Sequence, residues 1–334
     1  MPNAKLRDTD FLYMTSMLRA REVKMLSSEK INRMLDADSY EDAAKLVEEC
    51  GYRDMSGMNA FEVDRALSEH RSAVFRELAV KDYARPVVDL FRMKYDYHNV
   101  KVLVKSMGAN VDATHILSES GRIDSSKLTE AFISGYRADL PPAIRTAIHD
   151  GVSVLSRTKD PQLSDISVDQ VYFSELSSLS KELGSAFIAG YVRLLTDIAN
   201  LRIFIRSQRT NRSADFLRIS LLPGGNAGVT EILNTPATGE SLFGVFQAPE
   251  LESAVSLAPA ALAGGAQTQF ERACDNAPML YLIRKRYIAF GPIPVLTYLT
   301  KLEWEITTLR MILTGKLAGI APEIIKERLR DGYV

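Results

Sequence analysis

At 334 residues the chain exceeds what one hydrophobic core comfortably fills, so two or three domains are expected. Hydrophobic residues make up 46% and charged residues 25%, with 41 basic against 42 acidic side chains; this is the balance of an ordinary soluble protein, and a net charge of −1 gives no global electrostatic reason to bind nucleic acid. Two cysteines, Cys50 and Cys274, are too few for a disulfide scaffold or a zinc site and read as reduced, buried thiols of a cytosolic protein.

The first ten residues, MPNAKLRDTD, are polar and lack the apolar core of a signal peptide. No window reaches the roughly 18 uncharged apolar residues of a spanning helix. The stretch from Ser185 to Ile205 comes nearest and is interrupted by Arg193, Asp197 and Arg202. No transmembrane helix is expected, so any membrane association comes through a protein partner.

Residues 10–35 read as one long helix, with Phe11, Leu12, Met14, Met17, Leu18, Val23 and Leu26 at helical spacing and Arg19, Arg21, Glu22 and Lys24 on the wet side. A short helix starts near Ser39, with acids early and Gly51 as its stop. Gly57 and Asn59 mark a turn, and a helix over Ala60–Tyr83 leads to a long core helix, Asp89–Gly108. Gly108 and Asn110 break the chain, and a short amphipathic helix follows Gly121. Pro141, Pro142 and Asp160-Pro161 punctuate the middle. From Asp169 a hairpin arm, DQVYFSELSSLSKEL, runs into a second core helix, Ile188–Gln208. Residues 223–266 read as linker plus one short helix and as the most mobile part. Phe270–Phe290 is a helix pair or a long helix before Gly291, and Pro294–Gly315 is a third core helix. No run of alternating strands is present, so the expected class is all-α.

The three core helices repeat one pattern: an acid, then three residues later a small polar residue, an aliphatic, a base and further apolar residues. The copies are Asp96, Asn99, Val100, Lys101; Asp197, Asn200, Leu201, Arg202; and Glu305, Thr308, Leu309, Arg310. Lys101 and Arg202 lie 101 residues apart, and Arg202 and Arg310 lie 108 apart. That period is too long for a solenoid unit of roughly 20–50 residues. It suits three tandem helical domains, 1–110, 111–212 and 213–334. Acid and base are five residues apart and so lie on different faces. Either each charge marks an edge of the buried face, or acid and base pair with other helices and lock the packing, giving registry more than net stability. The second reading predicts that more than one of the six is largely buried with a partner. Gly121 to Tyr136 and Gly315 to Tyr333 also look alike, each a glycine, a base, an aliphatic, a short helix and Gly-Tyr; Gly225–Asn234 is a looser third copy. Each core helix is thus expected to be followed by a glycine break and a short cap helix.

No catalytic constellation emerges. Gly315-Lys316 lacks the preceding glycine and following hydroxyl of a phosphate loop, since Arg310 and Leu317 stand there, and reads as a helix stop at Gly315. Leu221–Ile232 resembles a strand, glycine turn and helix, but no lysine or serine is placed for phosphate, and the linker reading is preferred. His70, His98, His115 and His149 are scattered without metal-ligand spacing. Ser174, Ser177, Ser178 and Ser180 lack nucleophile-elbow glycines. Arg284-Lys285-Arg286-Tyr287 reads as a solvated helix face rather than a nucleic-acid site. No catalytic residue, cofactor or metal ligand is assigned.

Five stretches carry a family stamp: KYDYHNVKVLVK from Lys94, DQVYFSEL from Asp169, GPIPVLTYL from Gly291, EITTLRMILTGKLAGI from Glu305 and LRDGYV from Leu329. They resemble the central-stalk connector of rotary V-type ATPases, which is the C subunit of bacterial and archaeal V/A-type enzymes and the d subunit of eukaryotic ones. The resemblance covers essentially the whole chain, with its main departures in 223–266. It implies an all-α funnel of three similar domains in pseudo-threefold arrangement. It also implies a non-catalytic component on the cytoplasmic face of the membrane rotor ring, peripheral and without a span of its own. Its hollow would accept the rotating shaft of the ATP-hydrolysing head, coupling hydrolysis to proton or sodium transport. Two other readings remain open from the residues alone: a helical scaffold of another cytosolic assembly, and a helical enzyme with a site between domains.

Overall fold

The computed structural model describes residues 7–330. Among these residues there is no β-strand, and sixteen α-helices follow one another. They are α1 (Leu12–Glu22), α2 (Ser28–Asp36), α3 (Tyr40–Lys45), α4 (Ala60–Ala79), α5 (Arg85–Ala109), α6 (Ser125–Ser134), α7 (Pro142–Thr158) and α8 (Pro161–Glu182). Then come α9 (Ala186–Arg209), α10 (Ala214–Ser220), α11 (Val229–Leu233), α12 (Gly239–Val245), α13 (Glu252–Leu262), α14 (Gln267–Ile283), α15 (Pro292–Leu317) and α16 (Pro322–Arg328). The chain forms two compact units, one of residues 89–248 and one joining residues up to 88 with those from 249 onward.

Local chemistry sets the helix starts. Ser27, Ser39, Asp124, Asp160, Ser185 and Ser213 each place a side-chain oxygen on a free N–H of the first turn. Asn59 does the same and is answered by Glu62, whose carboxylate accepts the Asn59 N–H at 2.9 Å. Pro142, Pro161, Pro292 and Pro322 open their helices, where the missing N–H costs nothing.

In the unit of residues 89–248, Tyr97, Val100, Leu103 and Val104 of α5 pack with Leu128 of α6, Ile144 and Ile148 of α7 and Val168 of α8. Each such aliphatic side chain contributes about 1.5–3 kcal/mol on leaving water. The α7–α8 hairpin is tight because Gly151 has no Cβ; one added there would stand 3.0 Å from Val168, and the bare carbonyl of Gly151 accepts the Ser164 hydroxyl at 2.9 Å. In the other unit α15 is the buried axis, packed by α1, α3, α4, α14 and α16. Val295, Leu299, Leu302, Ile306, Leu309 and Ile312 of α15 are all inaccessible to water.

Several expectations need correcting. The predicted helix over 10–35 is two helices, because residues 23–27 lie outside both α1 and α2 and present the Leu26 N–H to a carboxylate of α15. The arm expected from Asp169 begins at Pro161, with Asp160 as its cap and α7 as its other half. Residues 223–266 hold α11, α12 and α13, not one short helix, and bury Ile232, Leu242, Phe246, Leu251, Val255 and Ala258. Gly315 does not stop its helix: it lies inside α15, where a Cβ would meet Ile325 at 2.7 Å, and the left-handed residue beyond the end is Gly319, φ 65°. The likeness between the chain after Gly121 and after Gly315 therefore does not mark equivalent breaks. Its Gly-Tyr end at 332–333, like the polar residues 1–6, lies outside the described residues.

Candidate functional site

The three acids of the repeat are the most deeply buried charges of their helices: Asp96 is 0% exposed, Asp197 1% and Glu305 2%. A carboxylate in such a place is expensive unless its lone pairs are filled. Each is filled in the same way, by the backbone N–H of the residue just before a helix cap. Asp96 Oδ1 accepts from Ile123 at 3.1 Å, and Asp124 then caps α6. Asp197 Oδ1 accepts from Ala227 at 3.0 Å, and Gly228 then caps α11. Glu305 Oε1 accepts from Leu26 at 2.7 Å, and Ser27 then caps α2.

The second carboxylate oxygen differs from copy to copy. Asp96 Oδ2 accepts from Arg122 Nε at 2.6 Å, and Arg122 turns its other nitrogens to Glu175 at 2.9 and 3.2 Å. The Tyr97 hydroxyl also donates to Glu175. Asp197 Oδ2 accepts from Asn226 Nδ2 at 2.7 Å, and Arg193 donates to Asn226 from behind at 3.0 Å. Glu305 Oε2 accepts from the Tyr52 hydroxyl at 3.0 Å. Burial pushes all three carboxyl groups above their ordinary range, against the opposing pull of their donors, and Glu305 is brought to about 7.

The small polar residue one turn later adds a second clamp in two copies. Asn99 donates to Ser118 O and accepts from Ser118 N, both at 2.8 Å. Asn200 treats Leu222 in the same way, both bonds again at 2.8 Å. The equivalent Thr308 is fully buried, and its hydroxyl has no hydrogen-bond partner. The position five residues before Leu26 is Arg21, inside α1, so no extended backbone is offered there for clamping. Gly121 and Gly225 complete the motif, since a Cβ on either would overlap an oxygen of Asp96 or Asp197.

The bases behave differently. Lys101 meets Asp169 at 2.8 Å and Arg310 meets Asp64 at 2.6 Å, both partly exposed, while Arg202 is half-buried. Acid and base thus hold different segments. The partners Arg122, Asn226, Leu26 and Tyr52 escaped the sequence reading. A signal existed: Ser118, Gly121 and Ile123 each stand 104 residues before Leu222, Gly225 and Ala227, and Leu26 stands 97 before Ile123.

Among the described residues no group of three or more His, Cys, Asp or Glu side chains could hold a metal ion. An open groove of about 640 Å³ along α7 and α8 is walled by Val154, Leu163, Ile166 and Val171, with Asp150 and Arg157 in its polar lining. His98, His115 and His149 are exposed. Arg284 is held by Glu250 at 2.6 Å, and Arg286 lies over the ring of Tyr287, 4.8 Å from its centroid. Cys50 and Cys274 are buried, and neither is in a disulfide. No helix among the described residues is long and apolar enough to cross a membrane.

The described residues form an all-α chain built on repeated core helices, each carrying a buried, hydrogen-bonded carboxylate. Residues 14–328 match the family described as ATP synthase (C/AC39) subunit, and the chain belongs to it. It is 24% identical over 335 residues to the C subunit of the V-type sodium ATPase of Enterococcus hirae, covering 95% of this chain and 97% of that protein. It is 22% identical to the C subunit of the A-type ATP synthase of Thermococcus kodakarensis, covering 96% of this chain and 90% of that one. The C subunit of the V-type ATP synthase of Deinococcus radiodurans is also 22% identical, at 96% and 91% coverage.

Proposed function

We propose that the chain is the non-catalytic central-stalk connector of a rotary V/A-type ATPase, joining the rotating shaft of the ATP-hydrolysing head to the membrane rotor ring. Proton or sodium transport would follow from the ring it serves. The observation that carries this reading is the end-to-end family match, with nearly complete coverage of both this chain and relatives named as C subunits of such enzymes. The physical design supports it. A torque adapter needs a stiff body, and close-packed long helices pinned by buried hydrogen-bonded carboxylates supply stiffness.

We further propose three similar helical domains, near 1–110, 111–212 and 213–334, in a pseudo-threefold funnel on the cytoplasmic face of the membrane; the repeated clasps support the threefold repetition of the core helix. In that reading each acid clasps a segment of the following domain, Asp96 to Ile123 and Asp197 to Ala227, and Glu305 of the third returns to Leu26 of the first. Copurification tests the function: a tagged chain should bring down shaft and ring proteins together. Capture of another cytosolic assembly without either would favour the helical scaffold instead.

A further inference from the structure

Glu305 differs from its two counterparts in what it joins. Asp96 and Asp197 reach amides 27 and 30 residues away, across one local loop. Glu305 reaches Leu26 across 279 residues and Tyr52 across 253, so it fastens the first part of the chain to the last core helix. Its hydrogen-bond partners are an amide and a phenol, both neutral, whereas Asp96 has a guanidinium and Asp197 has Arg193 one bond behind Asn226. The charged form of Glu305 is therefore the least compensated of the three, at 2% exposure.

We propose that the Glu305 carboxyl is a proton-operated latch: un-ionised, it holds residues 24–52 against α15; ionised, it favours release of that segment to water. The un-ionised group keeps both links, since its carbonyl oxygen accepts from Leu26 and its hydroxyl can donate to the Tyr52 oxygen. Opening transfers the proton to solvent, where the carboxylate is hydrated. The surrounding groups leave Glu305 the one that titrates near neutrality by gaining charge. Tyr52, Tyr298 and the Cys50 thiol are all pushed up by burial, so they stay neutral. Lys30 spends its ammonium on the carbonyls of Lys24 and Glu49, at 2.7 and 3.0 Å. Arg21 is held by Glu77, Lys301 by Glu22 and Arg310 by Asp64. His70, whose ring stacks 4.1 Å from Tyr52, is pushed down by burial.

Trp304, the sole tryptophan, is 6% exposed beside Glu305 and reports on the latch. The experiment uses the full chain, with Trp304 emission followed from pH 5 to 9 and amide exchange of residues 24–52 measured at pH 8. The wild type should show an emission transition near neutrality that is absent in Glu305→Gln and retained in Asp197→Asn and His70→Gln. At pH 8, Glu305→Gln should exchange slower in this segment by roughly 300-fold, the ratio expected when a closed-state carboxyl titrates about 2.5 pH units above the open one. Tyr52→Phe, which removes a donor to the carboxylate, should move the transition upward by about one pH unit. A transition that survives in Glu305→Gln, or disappears in His70→Gln, would overturn the latch. So would equal exchange in wild type and Glu305→Gln, or no upward shift in Tyr52→Phe.

Discussion

Glu305 accepts the backbone N–H of Leu26 at 2.7 Å, a buried bond that ties the last core helix to the beginning of the chain, where Lys301 also meets Glu22 and Arg310 meets Asp64. Replacing Glu305 by Ala strands that N–H and the Tyr52 hydroxyl in a dry interior and leaves a cavity. The expected loss is about 3–4 kcal/mol in chemical denaturation, from two unsatisfied donors and the missing methylenes.

The same carboxyl sets a pH dependence. Its folded-state value is about 7 against an ordinary 4.5, so the folded chain binds the proton more tightly than the unfolded one. Between those values the folded state holds more protons, and stability therefore falls as pH rises. The contribution amounts to about 3 kcal/mol lost from pH 4.5 to 7, with little change above. Subtracting the denaturation curves of Glu305→Gln from those of the wild type isolates it.

The two clasp glycines should be intolerant of alanine. Gly121→Ala and Gly225→Ala push a methyl into Asp96 or Asp197 and should each cost about 1–3 kcal/mol. Gly244 lies in α12 with nothing within 4 Å of its would-be Cβ. There alanine should instead stabilise by about 0.5–1 kcal/mol through helix propensity. Thermal denaturation of the three variants compares them directly.

The small polar position of the repeat predicts an asymmetry. Asn99→Ala and Asn200→Ala each remove two short bonds to backbone and should cost about 2–3 kcal/mol. Thr308→Val removes a hydroxyl without a hydrogen-bond partner and should be neutral or mildly stabilising. Equal losses at all three positions in urea titrations would contradict this.

How much of this the sequence disclosed depended on the range of the interaction. The core helices were legible because apolar spacing is a local signal, and the repeat of Asp96, Asp197 and Glu305 was visible as a pattern within one helix. Their partners were not. Ile123 and Ala227 contribute only backbone, which carries no side-chain signature, and Leu26 was hidden because its apolar side chain continued the periodicity of Phe11, Met14 and Leu18. Residues 223–266 were misread because their glycines and prolines outweighed short helices that only tertiary burial of Ile232, Leu242 and Phe246 stabilises.

The proposed connector role is tested most directly by measuring ATP hydrolysis and ion transport in the same membranes, with and without this chain. Hydrolysis by the head should persist without it while ATP-driven transport is lost, and adding the purified chain back should restore transport. Transport that continues undiminished in the absence of the chain would contradict the proposal.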